Sequence, residues 1–175
     1  MKKKRISVVI MVVLTMLLAG CGQKNSSAQG EDTTVKEQKP DTLGDQSVKV
    51  GDNVISLGDE MSDVTDKLGE AQDVTEAKSC MYDGYDRTYS YDDLTIITNE
   101  EGEKEIVNSI SFSGGEEIKC GLHVGDAASD IPESLNEGNV TESDTVNTYE
   151  FSDYGIALYL ENQKISQIEL YTIAE

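Results

Sequence analysis

Apolar residues return at helical spacing in two places: Met61, Val64 and Leu68, then Ala128, Ile131 and Leu135. A stripe of this period covers one face of a helix. Ser62 and Ser129 stand near the two starts as N-caps, each followed by Asp, which suits the positive end of a helix. Pro132 falls in the first turn of the second helix, where its missing N–H does no harm. Gly69 and Asn136-Glu137-Gly138 read as the stops. Thr88-Tyr89-Ser90-Tyr91 and Thr148-Tyr149-Glu150-Phe151 instead alternate polar with aromatic residues, the period of a half-buried strand. Leu94 to Thr98 and Ile156 to Glu161 follow as strands. Turns at Glu100-Glu101-Gly102-Glu103 and Asn162-Gln163 lead into further strands, Ile106 to Ser113 and Lys164 to Thr172. Short extended pieces, Val54 to Leu57 and Lys119 to Val124, precede the two helices. In both last strands the apolar positions slip phase, between Val107 and Ile110 and between Ile165 and Ile168. A β-bulge at each slip would return all four to one face.

These elements come in the same order twice. Gly58-Asp59, Ser62-Asp63-Val64 and Leu68 recur as Gly125-Asp126, Ser129-Asp130-Ile131 and Leu135, each 67 positions later. Val107, Ile110 and Phe112 match Ile165, Ile168 and Leu170 at an offset of 58, and Tyr89 and Tyr91 match Tyr149 and Phe151 at 60. Shared order, spacing and element type point to an internal duplication. The expected fold is therefore α+β, a tandem repeat of helix plus antiparallel β-meander at about 54–113 and 118–173. Its helices would pack on one face of a curved sheet, and Gly114-Gly115 would be the hinge between units. Neither meander would bury its face well alone, so both belong to a single domain, 47–175, long enough for one core.

A unit opened by Gly58, Val64, Leu68 and Gly69 resembles the β-lactamase inhibitory protein fold. It is also similar to the small outer-membrane lipoproteins of the BamE/SmpA kind, which carry one such unit. The likeness covers about 115 residues. The chain departs from the family pattern where Glu70-Ala71-Gln72 replaces x-Pro after Leu68-Gly69, and where Asn136 replaces the second Gly. The resemblance implies two meanders joined in one curved sheet, helices on its convex side and a concave side free to clasp a protein partner.

The amino terminus carries an address. Lys2, Lys3, Lys4 and Arg5 precede an apolar run from Ile6 to Ala19, and small residues follow. That is the layout of a secretory signal over residues 1–20, and the run is shorter than the roughly 20 apolar residues of a membrane-spanning helix. Leu18-Ala19-Gly20-Cys21 resembles the lipobox of bacterial lipoproteins. The resemblance implies cleavage before Cys21, a diacylglycerol thioether on its sulfur and acylation of the new amino terminus. Two chains anchor where one is marginal, so the expected location is the extracytoplasmic side of the cell membrane. Residues 21–46, rich in Ser, Gln, Thr, Lys, Glu and Gly, read as a flexible tether, because such a composition buries too little surface to offset ordering entropy.

Charge narrows the partners. The chain has 14 Lys plus Arg against 34 Asp plus Glu; loss of residues 1–20 leaves 10 against 34, a formal charge of −24. Nucleic acid is excluded, since its phosphates require basic contacts. A steered partner would instead be cationic.

Candidate chemistry is sparse. With Cys21 carrying lipid, Cys80 and Cys120 remain as an even pair that an oxidising compartment would allow to form a disulfide; the other reading is two buried free thiols. His123 is the one histidine, and no catalytic set assembles around it. No cofactor motif is present, and no enzyme activity is expected. Asp83, Asp86, Asp92 and Asp93 lie close in sequence, which motivates an alternative function as sensor or carrier of a small cation of the calcium type, although no metal-ligand motif is present. The tyrosines carry the leading reading. Strand alternation aims Tyr159 and Glu161, with Glu169 and Tyr171, away from the helices; Tyr82 and Tyr85 flank a turn at Asp83-Gly84. Exposed Tyr among polar groups is a favoured interface anchor. The expected function is a non-catalytic, membrane-anchored module binding a protein or peptide with a basic face.

Overall fold

The computed structural model describes residues 44–80 and 84–173. The signal, Cys21, most of the tether and Tyr82 lie outside the described residues. Among the described residues are eleven strands and a single α-helix. The strands are β1 Ser47–Val50, β2 Asn53–Ser56, β3 Asp73–Lys78, β4 Tyr85–Ser90, β5 Leu94–Glu101 and β6 Lys104–Phe112. They continue with β7 Glu117–Ile118, β8 Asn139–Glu142, β9 Val146–Glu150, β10 Tyr154–Glu161 and β11 Lys164–Thr172; the helix is α1, Met61–Leu68. Eight strands make one antiparallel sheet in the order β3-β4-β5-β6-β11-β10-β9-β8, and β2-β1-β7 make a small second sheet.

This architecture overturns the α+β expectation of two helix-plus-meander units. The chain is predominantly β, and the second helix does not form. Ala128–Asp130 and Glu133–Glu137 are separate 3₁₀ turns instead. Pro132 is the reason. It stands four residues beyond Ala128, past the first turn, where its absent N–H would have had an intrahelical partner and its ring disfavours helical backbone at the residue before it. Ile131 is accordingly extended (φ −60°, ψ 123°). In the first helix Ser62 is not the cap. The N-cap is Glu60, whose carbonyl accepts from Asp63 (3.0 Å) and Val64 (3.2 Å). Gly69 does end it, at φ 82°, its N–H returning to the Thr65 carbonyl at 2.8 Å.

Other elements also differ from the sequence reading. β3 and β8 were not expected, and both are exposed along their whole length as the two edges of the large sheet. The extended piece expected at 119–124 does not form; the short β7 ends just before it at Ile118, and Gly121 turns the chain at φ 76°. The described fold begins before 47: the Gln46 carbonyl accepts from Leu57 at 2.9 Å, and Asp45 pairs with Lys119 at 2.9 Å.

The core lies between the large sheet on one side and the small sheet with α1 on the other. Val48, Ile55, Met61 and Val64 come from the cover, and Ile96, Val107, Ile110, Phe112, Leu158, Ile165, Ile168 and Leu170 from the sheet. Each of these side chains, fully removed from water, contributes about 1.5–3 kcal/mol. The register of β5 on β6 shifts between Ile97 and Thr98, leaving Asn108 unpaired; that of β10 on β11 shifts between Tyr159 and Leu160, leaving Ser166 unpaired. Those bulges put Val107 with Ile110 and Ile165 with Ile168 on the buried face.

The Gly-Asp pairs have a structural task. β6 and β11 pair through their carboxyl-terminal halves, Ser109–Phe112 and Ile168–Tyr171, so their amino-terminal halves each present an open edge. Gly58 donates to the Val107 carbonyl at 2.8 Å, and Val107 donates back to Asp59 at 2.9 Å. Gly125 donates to Ile165 at 2.7 Å, and Ile165 back to Asp126 at 2.9 Å. Each aspartate also accepts the N–H three residues before it, Ser56 at 2.9 Å and His123 at 2.8 Å. Both glycines have positive φ, 81° and 97°, which a side chain would oppose.

Candidate functional site

Strand alternation assigns the outer face of the large sheet, since successive side chains point to opposite sides. On β10 the buried Ile156 and Leu158 face the core, which turns Gly155, Ala157, Tyr159 and Glu161 outward. On β11, Ile168 and Leu170 face inward, which turns Glu169 and Tyr171 outward. Register then sets the neighbours: Tyr171 lies opposite Gly155 and Ser109, Glu169 opposite Ala157 and Ser111, and Tyr159 opposite Gln167 and Val146.

Three hydroxyl–carboxylate hydrogen bonds tie this face together. Glu169 accepts from the Tyr159 hydroxyl at 3.0 Å and from the Ser109 hydroxyl at 2.9 Å, one on each oxygen, spanning β10, β11 and β6. Tyr171 reaches the other way across β10, its hydroxyl 3.5 Å from Glu150 on β9. The ring passes directly over Gly155: a Cβ built there would run into its Cζ and come within 2.7 Å of its Cε2. Tyr171 therefore lies flat against the strand. Tyr159 is 37% exposed.

The electrostatics follow from this packing. The hydrogen bond to Glu169, with partial burial, pushes the Tyr159 phenol above its ordinary value. Burial raises Tyr171, reinforced by Glu150 and Glu169. Both phenols thus stay neutral donors at neutral pH. A carboxylate offers about four acceptor positions, so Glu169, holding two hydroxyls, has capacity left for a cationic donor.

The sequence reading grouped residues that the fold separates. Tyr85 is 47% exposed but shares its strand parity with Arg87 and Tyr89, which puts it on the opposite face from Tyr159 and Tyr171. Glu161 ends β10 opposite Lys164, beyond the hydroxyl–carboxylate array. Ser109, Glu150 and Gly155 were not anticipated. Gly155 carried the one readable signal, since glycine inside a strand marks close approach by another group.

Elsewhere the acids, thiols and histidine stand apart. Asp86 lies within β4 opposite Asn99, while Asp92 and Asp93 occupy the turn at its far end, about 20 Å away at the usual strand rise. No group of three His, Cys, Asp or Glu among the described residues is arranged to hold a metal. Cys80 and Cys120 are unbonded to each other here, the first exposed and the second half-buried. Cys120 borders a cavity of about 370 Å³ floored by Ile118, Leu135 and Ile156. His123 is exposed, its Nδ1 3.8 Å from Asp126. On the core-side face, Arg87 binds three carboxylates, Glu76, Glu100 and Glu105, and Tyr89 donates to Glu105. No helix among the described residues is long and apolar enough to cross a membrane.

No family model matches the chain, and no curated protein does. Among solved structures, it is similar to a cysteine-rich secretory protein from Staphylococcus aureus subsp. aureus Mu50, at 15% identity and a TM-score of 0.47. The match covers 66% of this chain and 44% of that protein, so the chain spans less than half of its length. A likeness of that extent assigns neither family nor activity.

Proposed function

We propose that the protein is an extracytoplasmic lipoprotein, held at the membrane through Cys21, whose domain binds a basic protein or peptide without catalysis. The binding surface is the outer face of β9, β10, β11 and β6. The observation that carries this reading is the fixed carboxylate of Glu169, oriented by Tyr159 and Ser109 on the outer face of the large sheet. A preoriented acceptor loses less side-chain freedom on binding than a mobile one. The formal charge of −24 that remains once residues 1–20 are removed adds long-range attraction for a cationic partner.

Two measurements test it. Cys21→Ala should abolish incorporation of a labelled fatty acid and release the chain from membranes; label retained by the variant would end the anchoring claim. Titration of a basic peptide into the full chain in nonionic detergent should give an affinity that falls with salt. Tyr159→Ala/Tyr171→Ala should weaken it about tenfold or more, whereas equal affinities would remove this face from consideration.

A further inference from the structure

The flat ring of Tyr171 has a more specific use, and the inference rests on the basic-partner reading above. One side of the ring is pressed on the backbone at Gly155. Because it lies along the sheet, its other side points outward. Two carboxylates flank it: Glu150, at 3.5 Å from its hydroxyl, and Glu169, two residues back on the same strand and held by Tyr159 and Ser109. An aromatic face attracts a cation through the ring quadrupole, and a carboxylate accepts the N–H groups of the same cation.

We infer that Tyr171, with Glu150 and Glu169, forms a seat for an arginine side chain of the partner. Arginine fits better than lysine for a geometric reason. A guanidinium is planar, stacks on an aromatic face, and still projects N–H donors sideways from its edge. Those donors meet the carboxylates on either side of the ring. An ammonium is a compact, strongly hydrated charge, which engages one carboxylate and gains little from the flat surface. The glycine completes the design, because any side chain at position 155 would lift the ring and tilt its face away from the partner.

The test uses the full chain in nonionic detergent and two peptides of equal length and charge, one of arginine and glycine, the other of lysine and glycine. Titration calorimetry should show the arginine peptide binding at least threefold tighter. Gly155→Ala should erase that preference, bringing the ratio of the two affinities to about one. Tyr171→Leu, which keeps an apolar cover over the glycine, should do the same if the Gly155→Ala chain folds poorly by circular dichroism. Equal binding of both peptides to the wild type would overturn the arginine seat and leave the basic-partner reading standing. Failure of both peptides to bind would overturn both. An arginine preference that survives in Gly155→Ala and Tyr171→Leu would place the selective contact elsewhere and refute the seat.

Discussion

The ring of Tyr171 on β11 occupies the space above Gly155 on β10, leaving no room for a methyl group at that position. The pair is therefore coupled. Gly155→Ala should destabilise the domain by about 1–3 kcal/mol, the usual cost of overpacking. In a Tyr171→Ala background the same change should cost less than about 0.5 kcal/mol, because the obstacle is gone. Urea unfolding of the four proteins in a double-mutant cycle measures the difference; additive effects would mean that the ring does not rest there.

Gly58 and Gly125 separate backbone conformation from crowding. A Cβ at either would meet nothing within 4 Å, yet both have positive φ. Alanine should then cost about 1–2 kcal/mol at each, from backbone strain alone. Gly115→Ala is the control: it is equally open and needs no positive φ, so it should stay within about 0.5 kcal/mol of wild type. Thermal unfolding of the three variants would show whether the Gly-Asp loops constrain the fold as described.

How much of this was legible can be judged from individual residues. Period-two alternation found the central strands, whose apolar positions are buried, and the phase slip at Val107 and Ile165 revealed the bulges. β3 and β8 were invisible because both of their faces are wet, which leaves no pattern to read. The second helix was misread because the Ala128, Ile131 and Leu135 stripe was allowed to outweigh Pro132; apolar spacing specifies a face, but a missing N–H past the first turn stops the helix that would carry it. At the site, alternation correctly turned Tyr159, Glu169 and Tyr171 outward. It could not find Ser109 or Glu150, since which strands neighbour β10 and β11 is a tertiary fact, and it grouped Tyr85 with them by residue type alone.

Alkali should act through the tyrosines. Tyr89, Tyr91, Tyr149, Tyr154, Tyr159 and Tyr171 all have phenols raised above the ordinary value; burial leads in five, and the Glu169 hydrogen bond leads at Tyr159. The folded state thus keeps these protons beyond the pH at which the unfolded chain, near pH ~10, would release them. Their stabilisation is full below that pH and disappears as pH rises through the folded values. Phenolate absorbance should appear together with loss of the sheet circular dichroism signal. All eight tyrosines titrating near pH ~10 with the sheet intact would contradict this picture.

The two thiols should differ in reactivity. Cys80 is exposed, while burial raises the Cys120 thiol and so lowers its thiolate fraction. Alkylation without reductant, followed by intact mass, should label Cys80 quickly and Cys120 many-fold more slowly. A protein that accepts no label would instead contain a Cys80–Cys120 disulfide.

The most direct measurement of partner recognition is an amide NMR titration of the isotope-labelled full chain in detergent with the arginine-and-glycine peptide. Chemical-shift changes should concentrate at Gly155, Ala157, Tyr159, Glu169 and Tyr171, with residues on the opposite face, such as Glu76 and Arg87, little affected. Changes centred on Glu76, Arg87 and Glu105 instead, or no changes at a saturating peptide concentration, would contradict binding through the outer sheet face.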